Sequence, residues 1–186
     1  MILSSLRRLP WLLALSALIL LLDRITKSWV AAHVRMGEAI PVVPHILRIT
    51  HYANFGGNFG IFAESAQESA LAHWGLIGLN SLIPLLLFTV MVRWANRHTL
   101  SSIGLALALG GTLGNLHDRF AYGSVVDFIE VHIFGYHWPD FNVADMTYVT
   151  CFFLLLLDLL RKKKAATHSK FYSSENIQSQ PQERVL

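Results

Sequence analysis

Four long apolar blocks divide this sequence, and each is close to the length that crosses a bilayer. A membrane-crossing helix needs roughly 20 residues, because backbone groups in hydrocarbon must find their partners within the helix. Candidate spans cover residues 9–30, 71–92, 100–116 and 144–160. The second holds Asn80 and Pro84, the third fades through GGTLGN, and Arg161-Lys162-Lys163-Lys164 stops the fourth. With 53% hydrophobic and 15% charged residues among 186, the chain reads as an α-helical membrane protein rather than a soluble core. The expected organisation is one four-span membrane domain over 1–164, then a polar tail over 165–186 without stable structure.

Charge placement narrows the arrangement. Arg7, Arg8, Arg93, Arg97, Arg161, Lys162, Lys163, Lys164, Lys170 and Arg184 fall on one side of these spans; Arg24, Lys27, Arg35, Arg48 and Arg119 fall on the other. The positive-inside rule then puts both termini in the cytoplasm. The opening stretch SLRRLPWLLALSALILLLDRITK has the charge-then-apolar order of a cleaved leader. Yet Asp23, Arg24 and Lys27 follow its apolar part directly, with no small-residue cleavage site, so it reads as a first span. No basic stripe interleaves with aromatics, so no nucleic-acid partner is expected. Cys151 is the single cysteine, which excludes an intramolecular disulfide and a cysteine-based zinc site.

Two polar stretches face outward on this topology. Residues 33–68 carry β-branched residues, Pro41, Pro44 and clustered glycines; residues 119–143 contain SVVDFIEVHIF. Both predict short strands, hence a small extracytoplasmic β-element on the membrane. In the second strand Asp127, Ile129, Val131 and Ile133 share one face, with Phe128, Glu130 and His132 on the other.

The same outer boundary gathers Asp23, Asn54, Asn115, Asp118, Arg119, Asp127, Asn142 and Asp145. Ionisable groups there are costly unless paired or hydrated, and are often functional. Each also has a plain structural reading. Asp23 and Lys27 are four apart in the favourable acid-first order, as a helical ion pair would be. Asp145 falls in the first turn of the fourth span, where it complements the helix dipole, with Asn142 placed to cap. Asp118 and Arg119 can end the third span, and Gly110 and Gly111 suit close helix packing. Asp127 lies in an apolar strand with no adjacent basic residue, so its functional reading is stronger.

Asp127 and Asp145 together suggest acid–base chemistry. Two carboxylates that share a site do not both ionise easily; the charged one can activate water and the neutral one can donate to a developing oxyanion. No Gly-x-Ser-x-Gly or His-Glu-x-x-His occurs, and none of the nine histidines has metal-ligand spacing in sequence. His51, His132 and His137 read as interfacial or hydrogen-bonding residues. The alternative is a small transporter or channel subunit using membrane-boundary carboxylates. It needs carboxylates along a path across the bilayer, and only Asp158 lies toward the other side.

Five blocks, in order on four spans, carry a resemblance. They are Asp23-Arg-Ile-Thr-Lys27, Asn54-Phe-Gly56, Gly110-Gly-Thr-Leu-Gly-Asn115-Leu-His-Asp118-Arg119, Val125-Val-Asp127-Phe and Phe141-Asn142-Val-Ala144-Asp145. Over residues 9–160 the chain resembles the lipoprotein signal peptidase (signal peptidase II) family. The resemblance implies an aspartic endopeptidase of the bacterial cytoplasmic membrane, active near its outer face as a monomer among membrane phospholipids. It would cleave diacylglyceryl-modified prolipoproteins just before the lipidated cysteine. It implies Asp127 and Asp145 as catalytic residues and Asp23, Lys27, Asn54, Gly56, Asn115, Asp118, Arg119 and Asn142 as a supporting or substrate-binding shell. It also implies no metal and no cofactor. One block departs from the family pattern: Gly57 and Asn58 stand where it has two alanines.

Overall fold

The computed structural model describes residues 7–56, 69–95 and 98–178, with 164–178 described by their backbone alone. Gly57 and Asn58 lie outside the described residues. Helix α1 spans Leu9–His33, strands β1 and β2 span Ala39–Val43 and Leu47–Asn54, and helix α2 spans Ala70–Trp94. Helix α3 spans Thr99–Tyr122, strands β3 and β4 span Val125–Ile133 and Tyr136–Phe141, and helix α4 spans Val143–Gln178.

All four helices contain a stretch long and apolar enough to cross a membrane. Burial ranks them: 67% of the apolar window of α3 is buried, against 17% in each of the others. Helix α3 is therefore the central post, and the outer three turn Leu18, Leu21, Leu82, Leu86, Phe152 and Phe153 outward. Their outward faces need no protein partner in hydrocarbon, which is as apolar as leucine; small residues then decide where helices meet. A methyl group at Gly110 would collide with the Ser16 carbonyl and Ile19 of α1, and one at Gly111 with Thr147 and Ala144 of α4. These two glycines make close packing possible on opposite sides of one helix, as their sequence position suggested.

The sequence reading ends the third span near 116, but α3 continues to Tyr122. Nothing breaks the helix before Gly123, which caps it in the left-handed region at φ 74° with its N–H on the Arg119 carbonyl. Asn115, Asp118 and Arg119 are helical, three and four residues apart on the face turned to α1 and α4, with Asp118 and Arg119 in the last turns of α3. The backbone of α4 runs on to Gln178. Its lysines and alanines favour helix, and no glycine or proline follows Asn142 until Pro181.

The strands form one antiparallel sheet in the order β1-β2-β3-β4. Tyr52 pairs with Asp127 and Asn54 with Val125; His132 pairs with His137. Strands β3 and β4 meet at Phe134 (φ 50°) and Gly135 (φ 82°), two left-handed residues as a tight hairpin needs. Val30 and Val34 at the end of α1 pack with Phe128, Ile49, Val126, Ile129 and Val143. That cluster seats the sheet on the ends of the helices and brings β3 over the polar ends of α1, α3 and α4.

Candidate active site

Helix α4 starts with a reciprocal cap. The Asp145 N–H donates to Asn142 Oδ1 at 3.1 Å, and the Asn142 N–H donates to Asp145 Oδ2 at 3.1 Å. This is the capping-box geometry, with Asp145 three residues after the cap. The expected cap at Asn142 is therefore present.

Three asparagines are oriented by what their carbonyl oxygens accept. Asn142 Oδ1 takes the Asp145 N–H, so its NH2 points the other way and donates to Asp127 Oδ1 at 2.6 Å. Asn54 Oδ1 takes the Gly56 N–H at 2.9 Å, so its NH2 donates to Asp127 Oδ2 at 2.9 Å. Asn115 Oδ1 takes the Lys27 ammonium at 2.7 Å, so its NH2 donates to Asp145 Oδ1 at 3.1 Å. An amide oxygen cannot donate, and each carboxamide has one oxygen and one NH2, so fixing one end fixes the other. The two carboxylates thus receive four hydrogen bonds, none from a cation.

Below them lies a compact ion cluster. Lys27 Nζ is 2.7 Å from Asp23 Oδ2 and 2.9 Å from Asp118 Oδ2, with side-chain exposures of 0–1% for all three. Arg24 pairs with Asp118 Oδ1. Asp23 Oδ1 accepts the Ala144 N–H at 3.1 Å, another free donor of the first turn of α4. Gly114 makes room for Asp23, whose carboxylate a methyl group would strike. Two carboxylates and two cations leave the cluster neutral, which is what burial at this depth demands. Asp23 and Lys27 do pair as their spacing suggests, but Lys27 also bonds Asp118 and Asn115 on another helix.

Asp127 is 2% exposed. Burial, and next the charge of Asp145, push its carboxyl up to about 7, against the hydrogen bonds from Asn54 and Asn142. Arg119 is buried nearby and interacts electrostatically with both Asp127 and Asp145. Every residue expected at the site is therefore in one place. Sequence reasoning missed two members. Arg24 neutralises Asp118 from beside Asp23, and only the fold reveals that pairing. Tyr148 lines the same apolar cavity as Asp145, and its spacing of three from Asp145 on one helix face was a usable signal.

Asp145 also borders two apolar cavities. One, of 390 Å3, is lined by Phe141, Tyr148, Val149, Phe152 and Phe153; the other, of 470 Å3, by Val131, Ile133, Trp138, Met146 and Val149. Asp145 thus stands at the head of an apolar groove beside α4, with Asp127 buried behind it.

Comparison with known proteins follows the same outline. The family description "Signal peptidase (SPase) II" matches residues 15–161. A lipoprotein signal peptidase of Desulforapulum autotrophicum is 40% identical over 139 residues, 75% of this chain and 85% of the relative. One of Blochmanniella pennsylvanica is 41% identical over 140 residues, 75% of this chain and 82% of the relative. A solved bacterial membrane enzyme superimposes with a TM-score of 0.68 at 27% identity, covering 83% of this chain and 90% of that one.

Proposed function

The chain belongs to the signal peptidase II family, and we propose that it removes signal peptides from lipoprotein precursors with Asp127 and Asp145 as its acid–base pair. The observation that carries this reading is a pair of carboxylates held by three oriented asparagines, with Asp145 of the pair bordering an apolar groove. A signal peptide is an apolar helix, and a precursor bearing a diacylglyceryl group on its cysteine is doubly lipid-bound. Such a substrate reaches a protease most readily through an apolar wall, and the groove along Phe141, Val149, Phe152 and Phe153 offers one. The bond cleaved is the one just before the lipidated cysteine.

The chemistry divides between the two groups. Asp145, at a helix N-terminus, is the ionised partner and Asp127 the protonated one. Asp145 takes a proton from water as its oxygen bonds to the peptide carbonyl carbon. Asp127 gives its proton to the carbonyl oxygen, so the tetrahedral intermediate forms without net charge. The proton now on Asp145 then passes to the amide nitrogen as the C–N bond breaks. Asp127 regains a proton from the intermediate as the acid product leaves. No metal or organic cofactor takes part. The shell acts through position: Asn54, Asn115 and Asn142 aim the carboxylates, Gly56 aims Asn54, and Asp23, Lys27, Asp118 and Arg119 supply a fixed electrostatic floor. The enzyme works as a monomer in contact with phospholipid. The gathering of carboxylates at one end of the helices, rather than along a path between both ends, favours this reading over transport.

The direct test is incubation of purified protein with a diacylglyceryl-modified precursor, in the presence of a metal chelator and of serine- and cysteine-directed reagents. Cleavage before the modified cysteine is expected to continue in all of them. Cleavage lost to the chelator and restored by zinc overturns the mechanism.

Both termini are cytoplasmic and the site opens toward the outer face, by the distribution of arginine and lysine. Reporter fusions ending at Asn96 and at Gly135 are expected to report opposite sides of the membrane; a common side contradicts this orientation.

A further inference from the structure

On the polar face of the sheet, β3 and β4 bring four ligand-type side chains together. His132 Nε2 lies 2.8 Å from Glu130 Oε1, His137 Nε2 lies 3.2 Å from the same oxygen, and Asp140 Oδ1 lies 3.3 Å from His137 Nε2. The imidazoles stack with centroids 5.0 Å apart. In sequence the two histidines are five apart. The hairpin at Phe134-Gly135 folds them into register.

Two features set this group apart from an ordinary hydrogen-bonded cluster. The first is an excess of donors on one atom. Glu130 Oε1 faces His132, His137 and also the Arg48 guanidinium, whereas a carboxylate oxygen presents only two lone pairs. The second is the spacing. A tetrahedral zinc with bonds of about 2.0–2.1 Å has ligand–ligand edges of about 3.3 Å. His132 Nε2 and His137 Nε2 lie 2.8 and 3.2 Å from Glu130 Oε1, close enough for one ion to reach all three atoms. The ligand atoms of Glu130, His132 and His137 all lie within 4.8 Å of one another.

We propose that Glu130, His132 and His137, with Asp140 beside His137, form a binding site for a divalent transition metal of the zinc class, separate from the peptide-cleaving pair. Nitrogen and oxygen donors of this kind suit zinc and its neighbours rather than calcium or magnesium. Glu130 and Asp140 bring two negative charges and Arg48 one positive, so with neutral histidines the site is anionic before metal enters. Metal on Oε1 displaces the Arg48 terminal nitrogen, while Arg48 Nε keeps its 2.6 Å bond to Oε2 and orients the carboxylate. Entry is open, since Glu130, His137 and Asp140 line a 550 Å3 cavity on this face. The bound ion ties β3 to β4. Asp127 lies three residues before Glu130, and Asn142 two residues after Asp140. The metal thus ties β3 to β4 and adds to thermal stability, and cleavage does not depend on it.

The test is calorimetric titration of tag-free, full-length protein in detergent micelles with zinc chloride. One equivalent is expected to bind, and zinc is expected to raise the thermal unfolding midpoint. His132→Gln and His137→Gln keep an NH2 that can donate to Glu130, so the metal-free fold is retained, but each is expected to weaken binding by about 10- to 100-fold or more. The double variant is expected to show no zinc-dependent rise in midpoint. His33→Gln, an exposed histidine elsewhere, and Asp127→Asn are expected to bind zinc as the parent does. X-ray absorption at the zinc edge is expected to show two imidazole nitrogens. No uptake by the parent protein, undiminished uptake by the double variant, or a shell without imidazole overturns the proposal.

Discussion

Asp127→Asn, Asp145→Asn and the double variant are each expected to lose cleavage to one common floor, about 10^4-fold or more below the parent enzyme. Water activation and protonation of the carbonyl occur in one step, so removing either partner stops it. Effects within such a unit do not add. The amide side chains are nearly isosteric, so precursor binding is expected to persist, and binding measured beside cleavage separates the two effects. The pH profile carries a second signature. Asp127 must hold its proton to act as acid, and its carboxyl is raised to about 7 by burial first and by Asp145 next. Activity is therefore expected to fall as pH rises through about 7, and on the acid side to fall as the ionised partner gains a proton. The two apparent values belong to the coupled pair. Asn54→Ala removes a hydrogen bond that favours ionised Asp127, so it is expected to move the alkaline limb to higher pH. Near-normal turnover in either single aspartate variant would remove the pair from the mechanism and reopen the transport reading.

Lys27→Met is expected to destabilise the protein by about 3–5 kcal/mol and to reduce cleavage as well. The ammonium sits between Asp23 and Asp118 at 2.7 and 2.9 Å, and without it two buried carboxylates face each other. It also holds the Asn115 carbonyl, whose NH2 aims at Asp145. A simple helical ion pair predicts that removing both partners harms less than removing one, because no unpaired charge remains. Here Asp23→Asn with Lys27→Met is expected to be no milder than Lys27→Met alone. Asp118 and Asn115 still lose the ammonium, and the Ala144 N–H loses a charged acceptor. Thermal unfolding and precursor cleavage of both variants decide the matter; restored cleavage in the double variant would show that Asp23 and Lys27 serve only each other.

How far the sequence carried follows from which forces are local. Four spans were legible because bilayer thickness sets a length that apolar runs either meet or miss. The cap at Asn142 was legible because capping acts over three residues. The apolar run of α3 fades near 116, and its last turns were legible only as a place where Asp118 and Arg119 could end the span. Asn115, Asp118 and Arg119 are helical because α1 and α4 supply partners in Lys27, Asp145 and Arg24 that polarity alone does not reveal. Lys27 was read as the partner of Asp23, since a four-residue spacing is visible in sequence and a contact across helices is not. His132 and His137 were read only as interfacial or hydrogen-bonding residues, because their approach depends on a two-residue turn and a strand register.

The three side-chain amides around Asp127 and Asp145 bear on how an acid–base pair can reset itself. Carboxamides do not titrate in the working range and carry no net charge. A lysine or arginine in direct contact would favour the doubly ionised pair and leave no proton to give. Neutral donors hold each carboxylate in place while leaving the proton's address open. The pair can then exchange roles within a turnover, and the protein need only move a proton, not a side chain, to be ready for the next precursor.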